Sequence, residues 1–121
     1  MDPKLKESLK KAWQTKKIQR QQEEKERQRK ALERALSAAR YLKEHYGVHK
    51  VHLYGSLLWG RRFTAHSDID LMVSGFPPTA SFWRMLVELE EIASPFELNV
   101  VLEEDALPLL REKVLKEGKE L

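Results

Sequence analysis

The 121-residue chain has no cysteine. That excludes disulfides and thiolate metal sites, and it matches a reducing compartment, so a cytoplasmic location is expected. Long apolar runs are missing as well. None approaches the ~18 residues of a membrane span, and the basic start lacks the apolar core of a signal peptide. No membrane partner is therefore expected. Glycine and proline are scarce, five of each, and between Lys4 and Tyr46 there is neither. Nothing in that stretch breaks a helix. Charge is abundant: 34% of residues are Asp, Glu, Lys or Arg, against about a quarter in ordinary domains, so much of the chain is solvated surface.

The charge is unevenly divided. Residues 1–50 hold 15 Lys and Arg against 7 Asp and Glu, a net of +8. Residues 51–121 hold 7 against 12, a net of −5, which together give the overall +3. A basic arm on an acidic domain suggests an anionic partner, nucleic acid or an acidic protein face; the plainer alternative is a solvated, charge-laced helix.

Pro3 after Asp2 suits a first helical turn, and a long N-terminal helix is expected to about Tyr46, with Gly47 as its C-cap. Its apolar residues form two stripes. Leu5, Leu9, Ala12 and Trp13 make a short one; Ala31, Leu32, Ala35, Leu36, Ala39 and Leu42 make a longer one. Between them, "QRQQEEKERQRK" (19–30) offers little to bury. The division is therefore a projecting basic helical extension, 1–30, and a folded domain, 31–121. The first stripe could pair with its copy in a homo-oligomer, although sustained heptads are absent.

Beyond the helix, "VHKVHLYG" reads as a strand closed by Gly55, with Ser56 as N-cap of a short turn. "DIDLMVS" is a second strand. Thr79 or Ser81 caps a helix running to about Ala93, where Ser94-Pro95 stops it. "FELNVVL" is a third strand, and "EEDALPLLREKVLKEG" reads as a last helix ending near Gly118. The fold class is α/β (α+β): a small mixed sheet of three or four strands with packed helices, behind a long N-terminal helix.

The chemistry concentrates in "HLYGSLLWGRRFTAHSDIDLMVSG", residues 52–75. Asp-x-Asp on a strand puts two carboxylates on one face, about 7 Å apart along the chain. Such a pair repels unless solvated or bridged by a cation. Hard oxygen ligands favour Mg2+ or Mn2+, which need only one or two protein carboxylates besides substrate phosphates. Upstream, Gly55 permits close backbone approach, and Ser56 with the following N–H groups suits a terminal phosphate. Metal on one side and amide donors on the other are the parts of phosphoryl or nucleotidyl transfer.

These residues, in this order, resemble the signature of the minimal nucleotidyltransferases of the DNA polymerase-β-like superfamily. Gly55, Ser56, Gly60, Ser67, Asp68, Asp70 and Leu71 match it, and the similarity runs from about Ala31 to the end. The resemblance implies that Asp68 and Asp70 bind Mg2+ or Mn2+ bridging the triphosphate of an NTP, most simply ATP. It also implies that Gly55 and Ser56, with Ser67 and Arg61 nearby, hold the nucleotide. An acceptor hydroxyl on protein or nucleic acid then attacks the α-phosphorus and releases pyrophosphate. Such domains are often paired with a small all-helical HEPN-type protein, in some pairs as the antitoxin that attaches AMP to it. The family's third carboxylate, from the next strand, aligns with Asn99, which cannot act as a base. Glu97, two residues earlier, points to the same face. Two readings follow: catalysis supported by Glu97, or a degenerate nucleotidyltransferase fold serving as a partner-binding module. Trp59 and Trp83 are expected in packing roles.

Overall fold

The computed structural model describes residues 2–60 and 62–121. Helix α1 (Pro3–Tyr46) is one uninterrupted element of 44 residues, about 66 Å long at 1.5 Å per residue. Asp2 caps it by accepting a hydrogen bond from the Lys4 N–H, and Gly47 ends it at φ 63°. The stretch 19–30 is thus plain helix, as a run of Gln, Glu, Lys and Arg without β-branched residues permits. Burial starts at Ala31 and continues through Ala35, Ala38, Ala39 and Leu42. These small side chains let α1 lie close against the domain.

Strand β1 (Lys50–Tyr54) leads into α2 (Ser56–Trp59), then β2 (Ile69–Ser74), α3 (Phe82–Ala93), β3 (Leu98–Leu102), a 3-10 turn (Glu103–Asp105), α4 (Pro108–Glu117) and β4 (Lys119–Glu120). The sheet order is β3-β2-β1-β4. β1 pairs antiparallel with β2 and β4, while β2 and β3 run parallel, joined through α3. The four-stranded mixed sheet with packed helices is the expected class.

Alternation divides the sheet into two faces. Val51 and Leu53 of β1, Ile69, Leu71 and Val73 of β2, and Leu98 of β3 are buried together with the α1 alanines and with Met85, Leu89 and Ala93 of α3. Tyr54, Asp70 and Asn99 occupy the opposite face, in one row: Tyr54 is the register partner of Asp70, and Asp70 of Asn99. A two-residue period on three paired strands creates that row, because every residue one step away is committed to the core.

Local differences from the sequence reading have physical reasons. Gly55, not Ser56, occupies the N-cap of α2, at φ 76° and ψ −154°. Ser81 rather than Thr79 caps α3, accepting from the Arg84 N–H. The last helix starts only at Pro108, since Glu103–Asp105 form a separate 3-10 turn. Lys119–Glu120 then add an edge strand beside β1, too short and polar to show as a pattern. Trp59 does pack, stacking near Tyr54 and under Lys113, but Trp83 is 73% exposed. No helix among the described residues is long and apolar enough to cross a membrane.

Candidate functional site

Asp68 immediately precedes β2, and Asp70 is its second residue. Asn99 binds them together: its Nδ2 donates to Asp68 Oδ2 and to Asp70 Oδ1, each at 3.1 Å. One amide nitrogen bearing two hydrogens thus satisfies two carboxylates at once. The assigned orientation of the amide follows from its neighbours, since turning it would aim a carbonyl at two anions. Burial raises the Asp70 pKa above the ordinary aspartate value; the hydrogen bond from Asn99 opposes this and the Asp68 charge adds to it. Burial, with the Asp70 charge, also raises the pKa of Tyr54.

The Gly-Ser turn closes against this pair. A Cβ on Gly55 would stand 2.2 Å from Asp70 Oδ2, and φ 76° is itself costly for any L side chain. Glycine is therefore what lets β1 end against a carboxylate. The Ser56 hydroxyl reaches the Asp68 carbonyl at 3.5 Å, a long contact that leaves it available to a ligand. The Leu58 and Trp59 N–H groups turn back to the Gly55 carbonyl, whereas the first N–H groups of a helical turn have no internal partner.

Ser67 shapes the approach to the aspartates. Its hydroxyl accepts from the Thr64 N–H at 3.1 Å, and its own N–H donates to the Thr64 carbonyl at 3.1 Å. The loop is thereby folded into a closed turn directly before Asp68. Glu97 is exposed; its carbonyl accepts from the Ile69 N–H at 2.9 Å, so the ladder continues to it and its side chain shares the Asn99 face. Arg61 lies outside the described residues. Arg62 turns to α1, holding Glu24 through Nε (3.1 and 3.2 Å) and a second guanidinium nitrogen (2.5 Å).

A cleft of about 320 Å3 opens beside Asp68, lined by Asp68, Ser67, His66, Glu97, Phe96 and, from α1, Arg27. Arg27 was invisible to sequence reasoning. It lies in a charge-rich helix some forty residues from the motif, and only its being half-buried sets it apart from the exposed cations around it.

The donor set fits a hard divalent cation. Two carboxylates already converge on one hydrogen-bond donor, and the partly desolvated Asp70 carries a charge the fold itself disfavours, so a cation between them relieves both costs. Among the described residues no group of three or more His, Cys, Asp or Glu forms a larger cage. The protein ligands would be Asp68 and Asp70, with Asn99 at the third position.

A strand ending in Gly-Ser, facing two aspartates of an antiparallel neighbour and a third polar position on a parallel one, is the arrangement of nucleotidyltransferases. The family model described as "Polymerase beta, Nucleotidyltransferase" matches residues 37–121, and the chain belongs to that family. It is a minimal nucleotidyltransferase domain of the polymerase-β-like superfamily. A solved structure described as that of a candidate minimal nucleotidyltransferase is 27% identical, over 73% of this chain and 89% of that one, with a TM-score of 0.59. No curated protein matches.

Proposed function

We propose that the protein transfers a nucleoside monophosphate, AMP in the simplest case, from an NTP to a hydroxyl of a protein or nucleic acid, with Mg2+ or Mn2+ held by Asp68 and Asp70. The observation that carries this reading is the convergence of both carboxylates on one point beside the Gly55–Ser56 turn. When bound, the metal supplies charge neutralisation for the triphosphate and the departing pyrophosphate. The chain's residues do the rest. Gly55 and Ser56 present a small-residue turn with free donors to the outer phosphates, and the cleft before Asp68 admits the acceptor. The acceptor oxygen forms a bond to the α-phosphorus as the bond from that phosphorus to the bridging oxygen breaks, and pyrophosphate leaves with the electron pair. The hydroxyl proton needs a base, and Asn99 is not one. Glu97, on the same face and lining the same cleft, is the carboxylate left to take it.

With ATP carrying a labelled α-phosphate, the protein with Mg2+ is expected to label itself or a co-purifying acceptor. Asp68→Ala and Asp70→Ala should each lower this at least a hundredfold. Labelling that survives both changes refutes the assignment.

A second reading rests on Asn99: a neutral amide at the third carboxylate position suits a domain that has kept its fold and lost its chemistry. It would then act by binding a partner. For either reading, an all-helical HEPN-type protein, as in toxin–antitoxin pairs, is the partner we propose to test first by co-expression and co-purification.

A further inference from the structure

We infer that one face of the helical arm binds a single-stranded nucleic acid, with phosphates on a row of cations and a base on Trp13. Lys6, Lys10, Trp13, Lys17, Arg20 and Glu24 follow one another at intervals of four and three residues, so they share one stripe of α1. Where the stripe meets the domain, Lys17, Arg20, Glu24 and Lys25 line a cleft of about 500 Å3 with Arg62 and Phe63. Lys6, Lys10, Lys17, Arg20 and Lys25 are all exposed, and none enters an ion pair among the described residues. The stripe holds one carboxylate, Glu24, which Arg62 neutralises. Glu7 and Glu23 stand on its two flanks, about 80° and 120° round from Lys17, and Glu26 on the far side is held by Arg29. With Arg62 and both flanking carboxylates counted, six cations meet three anions.

Like charges at this spacing repel along the helix, and a chain of anions relieves that along its whole length. From Lys6 to Lys25 the rod rises about 28 Å, room for some eight nucleotides at ~3.4 Å each. A single phosphate would leave most of the row unmet. Trp13 sets an aromatic ring among the cations: Lys17 Nζ stands over it at 5.6 Å, and the residue is 63% exposed. A base can stack on the open side of the ring, which calls for unpaired bases and so for a single strand. An acidic protein groove would ask for several apolar contacts. Leu9 and Leu5 stand about 80° and 120° round from Lys17, which leaves Trp13 the one apolar member of the stripe. Apart from Arg62 and Phe63, this surface lies outside the family-matched residues, and it does not depend on the nucleotidyltransferase reading.

Fluorescence anisotropy of a labelled single strand of about twenty nucleotides, with the full chain freed of co-purified nucleic acid, tests this. Between about 50 and 200 mM salt the affinity should fall about a hundredfold, as about five phosphate contacts to a single strand require. The double variant Lys17→Gln/Arg20→Gln should bind about tenfold more weakly, with a salt slope lower by about 1–2. Lys4→Gln/Lys11→Gln removes the same charge from the other side of the helix and should change little. Trp13→Ala should weaken binding about tenfold and leave the slope unchanged. No binding at the lower salt, binding that salt does not alter, or full affinity in Trp13→Ala overturns the inference. So does an equal loss in the two double variants, which would leave only net charge at work. A duplex or polyglutamate bound as tightly as the single strand overturns it too, pointing to paired bases or an acidic protein instead.

Discussion

Asn99 decides what the two aspartates cost the protein. Its amide donates to both carboxylates at 3.1 Å, so with no cation bound it is the group that holds them together. Asn99→Asp exchanges those hydrogen bonds for a third negative charge. Without metal the variant should be less stable by about 1–3 kcal/mol, the range for removing a partner from buried or charged acceptors. Millimolar Mg2+ should restore or exceed the original melting temperature, because three carboxylates form a stronger oxygen cage. Thermal unfolding with and without Mg2+ checks both, and an unchanged metal-free melting temperature would remove Asn99 from this role. The aspartates themselves were legible in the sequence, since Asp-x-Asp beside a Gly-Ser turn is a local pattern. That Asn99 stands next to Asp70 came from the resemblance, which aligns it with the family's third carboxylate. That its amide ties both carboxylates did not, because a hydrogen bond across 29 and 31 residues has no local signature.

At the scale of elements, α1 and α3 are joined by a part-buried polar clamp beside their apolar contact. The Tyr41 and Tyr46 hydroxyls both donate to the Glu88 carboxylate. The hydrogen bond from Tyr41, then that from Tyr46, lowers the Glu88 pKa below its ordinary 4.5. The same carboxylate, foremost through its hydrogen bond, pushes Tyr46 up to about 12. A depressed carboxylate stabilises the fold fully above its unfolded value and loses that contribution as pH falls through its folded one. A raised phenol stabilises fully below its ordinary 10 and loses that contribution as pH climbs through about 12. Glu88→Gln should flatten both edges of the stability–pH curve, most visibly below pH 4.5, in unfolding titrations across pH. A profile that keeps its acid slope would place that slope on other groups. Helix and strand identities were readable from period and caps. The clamp was not, because tyrosines on α1 look like ordinary amphipathic spacing until α3 is laid against them. β4 was hidden for a different reason: two charged residues form a strand only because β1 offers a free edge.

The whole molecule joins a basic stretch, net +8 over residues 1–50, to an acidic one, net −5 over residues 51–121. The sequence shows a polar run at residues 19–30 with little to bury, and the buried residues of α1 are Ala31, Ala35, Ala38, Ala39 and Leu42. The sequence did not reveal that the polar stretch before them returns to the site, since only the direction of α1 brings Glu24 to Arg62 and Arg27 to the cleft. Glu24→Ala or Arg62→Ala should speed amide hydrogen exchange in residues 17–30 severalfold and leave the sheet protected, because a surface ion pair contributes little to global stability. Equal protection in the variants would show that the pair does not hold the arm.

Because α1 has no glycine or internal proline from Lys4 to Tyr46, it contains no hinge. Trp13, 63% exposed near the tip, stands about 21 Å from Arg27 along a single rod. The ion pair to Arg62 then serves as a fulcrum. Whatever takes hold of the apolar tip therefore pulls on the Glu24–Arg62 contact, and through it on the loop that leads into Asp68.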